Sequence, residues 1–138
     1  MRSRLLSFCH TDAGRAESRR PKQRNDCTVR ALASVMAWPY DQAYDLVAAA
    51  GRKSGKPFRM APKTYLPQKD LPFTTICHIF PAKAGESRMA LGRFCAEHPD
   101  GRFIVRVAKH VVAVINGIAY DEGSLDENRC VYRAWEFS

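Results

Sequence analysis

Between residues 26 and 50 the apolar positions recur at intervals of three and four. Val29, Leu32, Ala33 and Met36 form one set, and Ala43, Leu46, Val47 and Ala50 a second. That period places each set on one face of a helix. Helices are expected over 26–36, with Asp26 as N-cap, and over 41–50, with Gly51 as the residue beyond the end. Trp38-Pro39 separates them. A third helix is expected over 86–98, carrying Met89, Leu91, Phe94 and Cys95, and stopped by the turn Pro99-Asp100-Gly101.

Elsewhere the period is two, or the run is continuously apolar. FTTICHIF at 73–80 is β-like, RFIVRV at 102–107 alternates, and HVVAVI at 110–115 reads as a buried strand. Asn116-Gly117 is a strong two-residue hairpin signal, returning the chain through 118–121, and 129–137 is a final strand. Helices come first and an antiparallel sheet follows, so the expected class is α+β. Residues 1–24, nearly free of apolar positions after residue 10, read as a basic, exposed N-terminal arm. Residues 25–138 form a single domain. Within it, 51–72 is a basic Pro/Gly-rich loop with one short helical turn near residues 63–65, and loops this long in small domains are often functional.

A length of 138 residues fits one domain with a tail, and 46% hydrophobic against 26% charged residues is a globular balance. No run approaches the roughly 20 apolar residues that cross a bilayer, and the start is a poor signal peptide. A cytoplasmic protein with no membrane partner is therefore expected. Five cysteines at irregular spacing make no disulfide framework. The net charge of +8 is uneven. Residues 1–30 hold eight basic and three acidic side chains, 51–70 six and one, and beyond His110 the sign reverses to two and five. A basic half attracts an anionic partner, which makes nucleic acid a less favoured alternative to an acidic protein.

Cys27 falls in the first turn of the first helix, where N–H groups and the helix dipole favour the thiolate, the nucleophilic form of cysteine. The bland reading is a small buried side chain plugging a helix start. His110 opens the apolar strand. With Asn116-Gly117 as the turn, Ile115 opposes Ile118 and Val112 opposes Asp121. His110 and Asp121 are then diagonal neighbours on one face, close enough for the carboxylate to orient the ring and stabilise the imidazolium.

Cysteine, histidine and aspartate in this order, carried by NDCTVRAL at 25–32 and HVVAVINGIAYD at 110–121, resemble the papain-like cysteine peptidases. The pattern is most similar to small papain-fold proteins of bacteria and their phages, including relatives of the bacteriocin-processing peptidases. The resemblance implies a papain-like fold with the cysteine on N-terminal helices and the histidine on the C-terminal sheet. It implies a hydrolase, a peptidase or isopeptidase, with Cys27 as nucleophile, His110 as base, Asp121 as orienting group and an acyl-enzyme intermediate. It also implies an oxyanion-hole amide upstream of the cysteine, for which Gln23 and Asn25 are both available, Gln23 having the longer reach. The expected partner is a peptide or protein substrate. Lys53, Lys56 and Arg59 in the basic loop are candidate contacts for an acidic one. The alternative is a papain-like scaffold without turnover, acting as a basic binding protein.

No cofactor is expected. Cys9-His10, Cys77-His78 and Cys95-x-x-His98 match no compact metal module, so no metal site is assigned. Arg30, four residues after Asp26, is expected to pair with it and fix the loop before Cys27. Trp38 and Trp135 are expected in the core, and Glu122, Asp126 and Glu127 on a solvated acidic rim.

Overall fold

The computed structural model describes residues 7–59, 66, 71–82, 84–123 and 125–137. It is α+β, with three helices and a six-stranded mixed sheet among those residues. In chain order these are β1 (Ser7–His10), α1 (Cys27–Met36), α2 (Tyr40–Ala49), β2 (Thr75–Ile79), α3 (Leu91–Glu97), β3 (Arg102–Val107), β4 (His110–Ile115), β5 (Ile118–Asp121) and β6 (Arg133–Phe137). The strand order is β1-β5-β4-β3-β6-β2.

The central strands are apolar on both faces because both faces are covered. Ile104, Val111, Ala113, Trp135 and Phe137 pack with α1 and α2. Phe103, Val105, Val107, Val112 and Val114 alternate with them and pack with Leu91, Phe94 and Cys95 of α3. The sheet is the middle layer of three, and a period of two sends successive residues to opposite layers. Trp135 is buried and Trp38 half-buried against the α1–α2 side.

The bounds of β3, β4 and β5 coincide with those expected. Asn116 and Gly117 both take positive φ, 50° and 77°, as a type I′ turn requires. A Cβ on Gly117 would meet the Cys95 carbonyl oxygen at 3.0 Å, so glycine is demanded twice over. Ile115 faces Ile118 as expected. At the end of α2, Gly51 N–H donates to Ala48 O and Arg52 N–H to Val47 O, a Schellman closure around a Gly51 φ of 124°.

Several expectations are corrected. Residues 7–24 are not an exposed arm. β1 adds to β5 in parallel, so the sheet is mixed rather than antiparallel. Arg20 reaches Asp41 at 2.5 Å and Asp45 at 3.0 Å, and stacks 3.9 Å above the Tyr44 ring. Strand pairing and charges, with Phe8 and Ala13 the apolar contacts to the core, fasten this segment, which is why its composition reads as loose. The third helix starts at Leu91, not 86, because the chain before it is extended. Ala90 bridges Cys130, and Val131 N–H donates to Met89 O. The same pairing diverts 129–131 from the sheet and shortens the last strand to Arg133–Phe137. Asp26 sits at the N-cap position, but its side chain makes no cap hydrogen bond. The turn expected near 63–65, Lys63, Lys69 and residues 1–6 lie outside the described residues.

Among the described residues no helix is long and apolar enough to cross a membrane.

Candidate active site

α1 packs against the sheet so that its first residue, Cys27, meets the first residue of β4, His110. The thiol is half-buried. Burial alone would push its pKa up. A hydrogen bond with the His110 ring, one from the Val111 backbone N–H, and the nearby charges of His110 and Arg30 outweigh that and hold it below the ordinary thiol value.

His110 Nε2 lies 2.5 Å from Asp121 Oδ2, which leaves Nδ1 for the thiol. The contact is the one the hairpin register anticipates: extending the ladder one step beyond Ala113↔Tyr120 sets Val112 opposite Asp121, diagonal to His110. The Asp121 hydrogen bond, then the Cys27 hydrogen bond, raise the imidazole pKa to about 9 against the lowering effect of burial. A thiol held low beside an imidazole held high favours the thiolate–imidazolium pair at neutral pH.

Asp121 is itself buried, and both its oxygens are occupied. Oδ1 accepts from Arg30 Nη1 and, at 2.9 Å, from the Glu122 backbone N–H. Burial raises its pKa, but His110 and Arg30 more than reverse this and hold the carboxylate ionised. Arg30 therefore does more than the expected pairing with Asp26, which it makes through Nε at 3.0 Å. It joins two buried carboxylates, Asp26 and Asp121.

Asp26 has turned away from the helix cap to enter this network. It accepts from Tyr40 Oη at 2.7 Å and from Arg15 at 3.1 Å. Burial raises its pKa, and the Tyr40, Arg30 and Arg15 interactions bring it below the usual carboxylate value. Arg15 continues to Glu122, which is thus an ion-pair partner and not merely a solvated rim. With Asp26 engaged, the first-turn N–H groups of α1 have no side-chain cap.

The two amides expected as oxyanion donors line the depression beside Cys27, but they hold the loop instead. Gln23 donates through Nε2 to Ser54 Oγ at 3.2 Å, and its Oε1 accepts from Arg52 at 3.0 Å and from Gly55 N–H at 2.5 Å. Asn25, at a φ of 54°, donates to Gly55 O at 2.9 Å. Buried Arg52 completes the clasp by donating to Arg24 O at 2.8 Å. Both amides are thus engaged with the 52–55 loop.

A cleft of about 550 Å³ opens beside Cys27 and His110. Thr28, Phe58 and Val111 floor it, and Arg59, Arg106 and Lys109 supply its charge. Of the three loop cations expected to contact substrate, Arg59 lines this cleft, while Lys53 and Lys56 are exposed and do not. Sequence reasoning missed Arg106 and Lys109, which come from β3 and the turn after it. The signal available was their position next to His110: strands 102–107 and 110–115 leave only two residues between them.

The remaining cysteine–histidine pairs lie on separate elements: Cys9-His10 on β1, Cys77-His78 on β2, and Cys95 in α3 with His98 at its end. Cys95 is buried, which pushes its thiol up to about 11.

No protein-family model matches the chain, and no curated protein or solved structure matches it.

Proposed function

We propose that the chain is a thiol hydrolase of the papain-like kind, a peptidase or isopeptidase. The observation that carries this reading is the unbroken chain from Cys27 through His110 to Asp121 at the mouth of a cleft. A helix-borne thiol, a strand-borne imidazole and a carboxylate on the neighbouring strand support the papain-like assignment; a reducing cytoplasm, which keeps the thiol free, is part of the same proposal.

Cys27 gives its proton to His110 Nδ1. The thiolate attacks the substrate carbonyl carbon, and the charge that develops on the oxygen is met by backbone N–H groups at the uncapped start of α1. His110 then passes its proton to the departing amine as the C–N bond breaks, leaving a thioester on Sγ. Water attacks the thioester with His110 as base and restores the thiol. Asp121 stays ionised throughout, fixing the ring and stabilising the imidazolium.

The test is incubation with p-nitrophenyl acetate followed by mass spectrometry. An acetyl group should appear transiently on the peptide containing Cys27 and be absent in Cys27→Ala. Acetylation confined to lysines would contradict the reading.

A second reading, a binding protein without turnover, draws on the engagement of Gln23 and Asn25 in the loop clasp, which leaves fewer oxyanion donors. It predicts an acetyl group that stays on Cys27 and is not hydrolysed.

A further inference from the structure

We infer that the cleft beside Cys27 selects acyl groups bearing acidic side chains within two residues of the carbonyl that is attacked, so that the substrate is an acidic peptide segment. The inference rests on the thiol-hydrolase reading and adds the chemical class of its substrate.

Apart from exposed Arg24, which lines the smaller depression, the cations around Cys27 divide into two kinds. Arg15 and Arg30 are each paired with carboxylates, and Arg52 is spent on Gln23 and two backbone carbonyls. Arg59, Arg106 and Lys109 have no carboxylate or other side-chain partner among the described residues, yet all three line the same cleft. They arrive from two separate pieces of chain: the loop after α2, and the β3–β4 hairpin, which carries both Arg106 and Lys109. A charge run along one surface segment would not converge in this way.

Arg106 is half-buried, so its charge acts through a path only partly filled by water. Among the described residues no acidic side chain lines this cleft. The smaller depression beside Cys27, which Lys109 also lines, differs, since Asp26 and Glu122 line it. Three cations around a lining of Phe58, Thr28 and Val111 suit a ligand whose side chains carry negative charge on apolar stems. A volume of about 550 Å³ is the size of a short peptide segment, not of a nucleic-acid duplex. The acyl half of the substrate is the half that stays bonded to Sγ through the thioester stage. Acidic side chains on that half are accommodated by the cleft with the unpaired cations rather than by the depression that Asp26 and Glu122 line.

The experiment compares two irreversible probes on the full chain: N-acetyl-Glu-Glu-chloromethyl ketone and its Gln-Gln isostere. The rate at which each labels Cys27 is followed by mass spectrometry. In the wild type the Glu-Glu probe should label about tenfold faster, a preference that falls with added salt, as expected for a few partly exposed charge pairs. In the double variant Arg106→Gln/Lys109→Gln the ratio of the two rates should fall close to one. Taking the ratio divides out any general change in thiol reactivity. Lys53→Gln/Lys56→Gln, outside the cleft, should keep the wild-type ratio. A wild-type ratio of one with Cys27 labelled by both probes would overturn the acidic-substrate inference and leave the thiol reading standing. A preference that the Lys53/Lys56 variant abolishes and the Arg106/Lys109 variant keeps would also overturn it. So would a single-stranded DNA oligonucleotide protecting Cys27 while the two probes react alike. Failure of both probes to label Cys27 would overturn the inference together with the hydrolase reading beneath it.

Discussion

The two sides of Cys27 use positive charge in opposite ways. On one side Arg15 and Arg30 are held among Asp26, Asp121 and Glu122, with Tyr40 closing the network. On the other, Arg59, Arg106 and Lys109 line an open cleft that no acidic side chain lines among the described residues, Lys109 also lining the depression that holds Glu122. The first set sets the geometry and proton affinity of the dyad, and the second is free to meet a ligand. A net charge of +8 counts both alike. Charge carries functional meaning here only once each cation has been matched with the carboxylates within its reach.

The largest effect expected on the paired side is loss of the nucleophile. Cys27→Ala should abolish hydrolysis and change stability by no more than about 1 kcal/mol, because a small side chain is tolerated at a helix start. Thermal melting together with ester turnover checks both halves. Asp121→Asn should lower turnover by about 10²–10⁴-fold, less than loss of Cys27, since an amide can still orient the ring but cannot offset the imidazolium charge. An unchanged rate would remove Asp121 from the site.

Arg30→Ala leaves Asp26 and Asp121 as buried carboxylates short of a partner. It should cost about 3–5 kcal/mol in a denaturant titration. The same network predicts acid lability with a definite sign. The pKa values of Asp26 and Asp121 are lowered in the folded state. Their stabilisation is thus present above the ordinary carboxylate range, near ~4, and is lost as the pH falls through the folded values. The melting temperature should drop more steeply on acidification in the wild type than in the double variant Asp26→Asn/Asp121→Asn. The smallest effect is expected on the open side beyond the cleft. Lys53→Ser/Lys56→Ser should shift stability by no more than about 0.5 kcal/mol and leave acyl turnover as it is. A strong loss of turnover there would blur the distinction between the two sets of cations.

Much of this was legible in the sequence where the signal is local. The Asn116-Gly117 turn fixes the register of β4 and β5, and register alone carries His110 to Asp121. Asp26 and Arg30 lie one helical turn apart, so their pairing could also be read. The contacts that could not be read join residues far apart in the chain. Arg15 reaches Glu122, Tyr40 reaches Asp26, and Gln23 reaches Gly55, and no spacing rule links these pairs. β1 was missed for a related reason. Four residues, SFCH, give too short a pattern, and their parallel partner β5 lies more than a hundred residues on. The premature start assigned to α3 came from reading Met89 as helical, when its carbonyl instead accepts from Val131.

The central claim is that Cys27 and His110 share a proton in a pair biased toward thiolate and imidazolium. Its most direct test is the rate of Cys27 alkylation by iodoacetamide across pH, followed beside Cys9 in the same molecule and repeated in His110→Ala. Cys27 should react much faster than exposed Cys9 at pH 7, with a rate that rises through a pKa below the ordinary thiol value. In His110→Ala that advantage should vanish, and the rise should move above the ordinary value, as burial without a partner requires. If Cys27 instead reacts no faster than Cys9 at pH 7, and its profile is the same with and without His110, the two residues are neighbours without shared chemistry and the proposed site is wrong.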